Sequence, residues 1–224
     1  MYKIETHLHT NHVSQCARLD AAHLARRYHE LGYAAIAVTD HYNDETWEYK
    51  NIDVKTNKKL SWTLLDGYYR MQEACAKYDI KVYMGAELRF YENKNDYLFY
   101  DFDPKMLDDA DEIMSLGIAG FSKSFRPHGG LLIQAHPFRK TCVPIAAHLL
   151  DGIEVYNRNP RHNSRDDLAL EFAELNPQLI RTAGLDCHRL GDEGASGILS
   201  ETLPEDTAAF AALLRSGNYE LICK

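Results

Sequence analysis

The sequence predicts an α/β fold, a single barrel-like domain over residues 1–224, and two observations carry that expectation. Short β-branched or apolar runs alternate with longer amphipathic segments, which is the pattern of βα units joined into a mainly parallel sheet. Strand follows helix with little interruption, and no repeat, low-complexity tract or Pro/Gly-rich linker marks a boundary. A chain of 224 residues also buries roughly 70% of the surface that its unfolded form exposes, so its core needs neither disulfides nor a structural metal. Any metal is then expected to be functional.

The elements follow in order. Residues 2–6 form the first apolar run. Asp20 is placed to cap a helix running through Leu31, whose stripe of Ala21, Leu24, Tyr28 and Leu31 would face the core, and Gly32 can end it. Residues 33–39 are apolar almost throughout, as a strand covered on both faces should be. The polar stretch 42–59 reads as a long surface loop, a lid candidate. Ser61 can cap a helix to about residue 78, followed by strands at 81–86 and 97–102. Further strands are predicted at 131–135, 152–156 and 179–183, with helical segments near 105–115, 143–150, 164–175 and 205–215.

Composition narrows the functional classes. Lys and Arg number 25 against 33 Asp and Glu, a net charge of −8, which argues against nucleic acid or an anionic membrane surface as a general partner. The five cysteines make an odd number and form no C-x-x-C pair, so they read as reduced thiols of a cytoplasmic protein. No stretch reads as a secretion signal or a membrane span.

Eleven histidines stand out, and they are dispersed rather than clustered in a tag. His7 and His9 close the first predicted strand, Asp40 and His41 the second, and Glu87 the third. His136 follows 131–135, and Asp186 and His188 follow 179–183. In a parallel barrel all strand C-termini point to one face, so groups distant in sequence converge there. Residues two apart on an extended segment project to the same side, which lets both imidazoles of His7-Leu8-His9 reach one ion, and likewise Asp186 and His188. A lone loop histidine is usually a solvated surface residue, and an Asp after a strand is often a helix cap. Coincidence at five strand ends is poorly explained that way. His23, His29, His148 and His162 fall in or beside predicted helices and read as surface residues.

Taken with their neighbours, these residues carry a family resemblance. His7-Leu8-His9-Thr10, Ser14, Thr39-Asp40-His41, Gly85-Ala86-Glu87, Gln134-Ala135-His136-Pro137, Glu154-Val155-Tyr156-Asn157 and Asp186-Cys187-His188-Arg189 resemble, in order, the motifs of the PHP family, named for polymerase and histidinol phosphatase. The resemblance implies a distorted seven-stranded TIM-like barrel holding two or three divalent transition metal ions, Zn, Mn or Fe, and hydrolysing phosphoesters. It implies that His7, His9, Glu87 and Asp186 bind one ion, Glu87 and His136 a second, and His41 and His188 a third, with Glu87 bridging the first two. A mixed imidazole and carboxylate set suits those metals. The chain departs from the family twice. Where members commonly place another His or Asp shortly after the first motif, it offers His12, Ser14, Gln15 and Cys16. No histidine occurs between Glu87 and His128, where Asp96 is the candidate replacement.

Around these ligands, Asp40 is expected to orient an imidazole or assist proton transfer, with Glu87 as the bridging catalytic carboxylate. Arg139, Arg189 and Asn157 are candidates for binding substrate, because a guanidinium can take two phosphate oxygens at once. Arg126, Arg158 and Arg161 are weaker ones. Cys187 should point away from its neighbours into packing. Trp47, Tyr49, Tyr91, Tyr97 and Phe125 could stack on a substrate ring or pack. The expected reaction is hydrolysis of a small phosphorylated molecule, most simply a phosphomonoester, by metal-activated hydroxide attacking in line with the leaving oxygen. The rivals are an exonuclease or oligonucleotide phosphodiesterase, an amide or lactone hydrolase, and a non-catalytic metal-binding regulatory module. Lack of basic clusters lowers the nuclease reading. Substrate identity and oligomeric state are not set by the sequence.

Overall fold

A computed structural model gives the structure at residues 1–194 and 196–223. Its strands are β1 (Tyr2–Leu8), β2 (Tyr33–Val38), β3 (His41–Tyr42), β4 (Lys81–Leu88), β5 (Tyr97–Tyr100), β6 (Leu131–Gln134), β7 (Gly152–Asn157), β8 (Ile180–Gly184), β9 (Ser196–Ser200) and β10 (Glu220–Cys223). Its α-helices are α1 (Ala21–Glu30), α2 (Asp44–Tyr49), α3 (Ser61–Ala76), α4 (Ala110–Ser115), α5 (Gly117–Phe125), α6 (Asp166–Leu175) and α7 (Thr207–Ser216).

Among the described residues the strands form one sheet in the order β10-β9-β1-β2-β4-β5-β6-β7-β8, with β3 attached to β4. Pairing is parallel between β1 and β2, β2 and β4, β6 and β7, and β7 and β8, while β5 runs antiparallel to both neighbours. The sheet curls until its far edge returns to β1. There the Asp186 N–H donates to the His7 carbonyl at 2.9 Å, and the Thr6 hydroxyl to the Ala183 carbonyl at 2.8 Å. A parallel bridge between Leu8 and Cys187 completes the near-closed barrel. Among the described residues the strands number ten, not the expected seven. The additional ones are the two-residue β3, β9, which runs antiparallel alongside the start of β1, and β10, which runs antiparallel to the outer side of β9.

Local sequence explains most elements. The Asp20 side chain accepts from the His23 N–H at 2.8 Å, and Ala21, Leu24, Ala25 and Tyr28 of α1 are buried. At α3 the expected cap fails: the helix has no side-chain cap, and the Ser61 hydroxyl donates instead to Asp108. Segment 42–59 is not an open loop. It contains the end of β3 and all of α2, the Asn43 side chain caps Thr46 at 2.8 Å, and Trp47 is buried. The helix expected at 143–150 reduces to a single 3-10 turn at Ala147–Leu149. Gln134 Nε2 donates to the Val143 carbonyl at 2.8 Å, taking the acceptor that a helix starting there would need, while Asn95 and Gln134 accept from the Val143 and Ile145 N–H groups. No helix among the described residues is long and apolar enough to cross a membrane.

Candidate metal centre

At the end of β1, His7 and His9 project to the same side, with their Nε2 atoms 3.1 Å apart. Each outer nitrogen has its own partner. His7 Nδ1 meets Glu154 Oε1 at 2.9 Å, and His9 Nδ1 meets Ser14 Oγ at 3.2 Å. Their inner nitrogens therefore aim at one space, shared with the carboxylates of Glu87 and Asp186. Glu87 Oε1 lies 3.2 Å from His7 Nε2, and Asp186 Oδ1 lies 3.2 Å from His9 Nε2.

Glu87, at the end of β4, is fully buried, and its oxygens also reach His136 Nε2 at 3.2 Å and His41 Nδ1 at 2.7 Å. Despite that short distance, Glu87 Oε2 and His41 Nδ1 are both buried without a well-directed hydrogen bond. Electron-rich atoms packed this closely are costly unless a proton or a cation lies between them. Four sets of donors stand within 4.8 Å of one another: His7, His9 and Glu87; His9, His41 and His188; His41, Glu87 and Asp96; and Asp96, His136 and Cys142. Imidazole and carboxylate donors in such sets suit Zn, Mn or Fe, so the residues fit the metal that the sequence implies.

Further groups hold these donors in place. The Glu154 carboxylate, besides meeting His7, accepts from the His136 N–H at 3.0 Å and from Asn157 Nδ2 at 2.9 Å. His136 and Asp186 both have positive φ, 30° and 55°, a conformation that non-glycine residues adopt at a cost and that collects at functional sites. Asp40 accepts from the Thr10 N–H, the Thr10 hydroxyl and the Ser14 hydroxyl, each at 2.7 Å. The side-chain partners of its oxygens are Thr10 and Ser14, and its link to the cluster runs through Ser14 to His9. Asp96 lies 3.8 Å from His136 Nε2 while Arg89 grips its carboxylate at 2.7 and 3.0 Å.

Over this cluster opens a cavity of about 280 Å³, walled in part by Arg89, Arg139, Arg161 and Arg189. Arg139 Nη2 donates to Asp186 Oδ2 at 2.7 Å and to Asn157 Oδ1 at 2.9 Å. Arg189 is exposed at the rim, and Arg161 is paired with Asp192. His162, expected as a surface residue, also lines this cavity. The aromatic candidates do not: Trp47 and Tyr97 are buried in packing, and Tyr49, Tyr91 and Phe125 are not part of its wall. Cys187 faces the core beside Leu8 and Leu185, as alternation requires.

The charge states follow from this packing. Burial opposes ionisation of His7, but Glu154, Glu87 and Asp186 outweigh it and hold the imidazole well above its ordinary range. Burial, then the charges of His41 and His188, push His9 well below its own. Against burial, His7 and His41 hold the Glu87 carboxyl well below the usual range, and Arg139 and His7 do the same for Asp186. Burial and Arg139 oppose protonation of His136, yet Cys142 and Glu87 carry it up to about 9. Asp186 and Cys16 lift His188 to about 10 against burial. Burial pushes Asp40 to about 6, despite the bonds from Thr10 and Ser14.

Sequence reasoning missed Glu154, Ser14 as a relay, Arg89 and Cys142. Only Glu154 left a clear sign, as a lone acid inside the otherwise apolar run of residues 152–156.

The comparisons agree with this architecture. A two-domain protein of Bacteroides vulgatus, described as containing a predicted PHP-like metal-dependent phosphoesterase, superposes with a TM-score of 0.66 at 14% identity, over 99% of this chain and 64% of that one. This chain therefore spans less than two thirds of that protein. PsfC from Pseudomonas syringae gives 0.65 at 17% identity, over 100% and 91% of the two chains. An amidohydrolase from Chromobacterium violaceum, with sulfate bound and no metal, gives 0.56 at 14%, over 99% of each. At such identities these likenesses speak to the fold. No curated protein matches the sequence. The PHP domain profile, however, matches residues 5–191, most of the chain and every strand from β1 to β8 apart from the start of β1. With its motifs in family order and their side chains gathered at one barrel mouth, the chain belongs to the PHP domain family.

Proposed function

We propose that this chain is a metal-dependent phosphoesterase that hydrolyses a small phosphorylated molecule, a phosphomonoester, with residues 1–224 acting as one domain. One observation carries the reading: a small cavity whose floor is imidazole and carboxylate and whose wall is arginine. Acid-rich floors attract cations, and arginine walls attract the oxyanion that those cations would act upon. In this reading His7, His9, Glu87 and Asp186 hold one ion, Glu87, Asp96 and His136 a second, and His41 and His188 a third. When bound, Zn, Mn or Fe ions at such a site supply a water acidified towards about 7 and positive charge against the phosphate.

The chain's own residues do the rest. Glu87 joins the ion positions through its two oxygens, which already reach different imidazoles. Arg139, pre-set by its bond to Asn157, and Arg189 at the rim take the equatorial phosphate oxygens. Asp40 acts as a positioning residue, since Thr10 and Ser14 saturate its carboxylate and keep it from reacting atoms. A cavity of about 280 Å³ favours a small substrate over a polynucleotide, and so do the net charge of −8 and the lack of stacking aromatics in its wall. Five free cysteines fit a reducing cytoplasmic compartment.

The test is hydrolysis of a chromogenic phosphomonoester and a phosphodiester by the full chain, before chelation, after it and after reloading with Zn, Mn or Fe. The reading expects monoester turnover that chelation abolishes and reloading restores. Preference for the diester would overturn the monoester assignment, and bound metal with no turnover of either would favour a non-catalytic module.

A further inference from the structure

Beyond β1 the chain turns back over the mouth of the site, where His12, Ser14, Gln15 and Cys16 are the polar or soft side chains on offer. Three of them are committed elsewhere or point away. The Ser14 hydroxyl serves Asp40, His9 Nδ1 and the His41 N–H. His12 Nε2 accepts from the Ala21 N–H at 3.4 Å, and Gln15 is exposed outside the cavity. Cys16 alone lines the cavity, in side-chain contact with both His41 and His188.

Those two imidazoles already have one nitrogen occupied. His188 Nδ1 meets the Asp186 carbonyl at 2.8 Å, and His41 Nδ1 faces Glu87 at 2.7 Å. The nitrogens left to face Cys16 are their Nε2 atoms. Together with His9, His41 and His188 form one of the donor sets within 4.8 Å, and Cys16 lines the cavity that His41 and His188 also line.

We propose that Cys16 binds as a thiolate to the ion held by His41 and His188, so that this position is a sulfur-bearing site, selective for zinc over manganese. Its proton leaves to solvent as the sulfur–metal bond forms. A thiolate with two imidazoles favours a borderline-soft ion, whereas an all-oxygen or imidazole-carboxylate position accepts harder ones. The inference rests on the metal-centre reading above but concerns one ligand, and the two can fail separately.

Cobalt(II) distinguishes them, because its visible bands report binding of any kind and its thiolate charge-transfer band in the near ultraviolet reports sulfur. The metal-free full chain is titrated with cobalt, alongside Cys16→Ser and, because Cys142 lies 3.7 Å from His136 Nδ1, Cys142→Ser. The charge-transfer band should appear in the unmodified chain and in Cys142→Ser and vanish in Cys16→Ser, which should still show the visible bands. Zinc X-ray absorption on the unmodified chain should find a sulfur neighbour near about 2.3 Å, and bound zinc should shield Cys16 from alkylation if Cys16→Ser misfolds. Visible bands with no thiolate band, or a band that survives in Cys16→Ser, would overturn the ligand assignment. No cobalt uptake at all would overturn the metal centre with it.

Discussion

Glu87 meets His7, His9, His41 and His136 through two oxygens, and the geometry leaves it few other partners. Glu87→Gln is therefore expected to keep the fold, bind fewer ions per chain and lose at least about a hundredfold in ester turnover, scaled from what a lost charge-stabilising group costs; elemental analysis and turnover check both. Glu154 touches no proposed ion, yet it orients His7, His136 and Asn157 at once. Glu154→Gln should weaken metal affinity about 10–100-fold, the usual cost of a lost partner behind a ligand, as competition with a chelator would read. Protonation adds a third expectation. In the metal-free chain His136 titrates at about 9 and His188 at about 10, both raised, so metal must displace their protons. Affinity should rise with pH across 6–10, and binding near neutrality should release protons, measurable by calorimetry in buffers of different ionisation enthalpy. The same sign holds for stability: these raised imidazoles contribute fully below about 6.5, and the metal-free chain loses that contribution as pH rises through 9 and 10. Thermal melts across that range check it. At this scale the candidate ligands are legible in the sequence because they sit at strand ends with period-two spacing. Glu154 shows there only as a lone acid in an apolar run and Cys16 only as one of four residues after the first motif, since each gets its place from partners far along the chain.

Elements matter here chiefly for how closely they let the site pack. Gly67 lies in the middle of α3, where alanine would ordinarily be the better helix former. A Cβ there would stand 2.0 Å from Asp40 Oδ2 and 2.6 Å from Thr10 Oγ1. Gly67→Ala should thus destabilise the chain by about 1–3 kcal/mol through overpacking, reversing the sign that helix propensity predicts, and denaturant melts would read it. Gly184 at the end of β8 is nearly as tight, with His7 Cβ at 2.5 Å and Glu154 Oε1 at 2.6 Å. The amphipathic α1 and the apolar runs of β2, β4, β6, β7 and β8 were readable from periodicity. The misread elements share a cause. At 143–150 the Gln134 side chain takes the Val143 carbonyl from any helix, and β9 and β10 are five and four residues long, with β9 held between β10 and the distant β1.

For the whole molecule, sequence periodicity foretells an α/β barrel, but closure depends on contacts it does not encode locally, such as Leu185 N–H to Glu5 Oε1 at 3.0 Å across 180 positions. That closure is what carries Asp186 and His188 back to His7 and His9. The overall charge of −8 and the arginine-walled cavity are compatible, because the acids gather beneath the opening and elsewhere on the surface while the cations edge it. The most direct test of the central claim is elemental analysis of the untagged full chain purified without added metal or chelator, with Glu87→Gln measured beside it. Two or three transition-metal ions per chain, reduced by the substitution, is the result this account predicts. A chain that carries no ion, and takes none up when Zn, Mn or Fe is supplied, would contradict it.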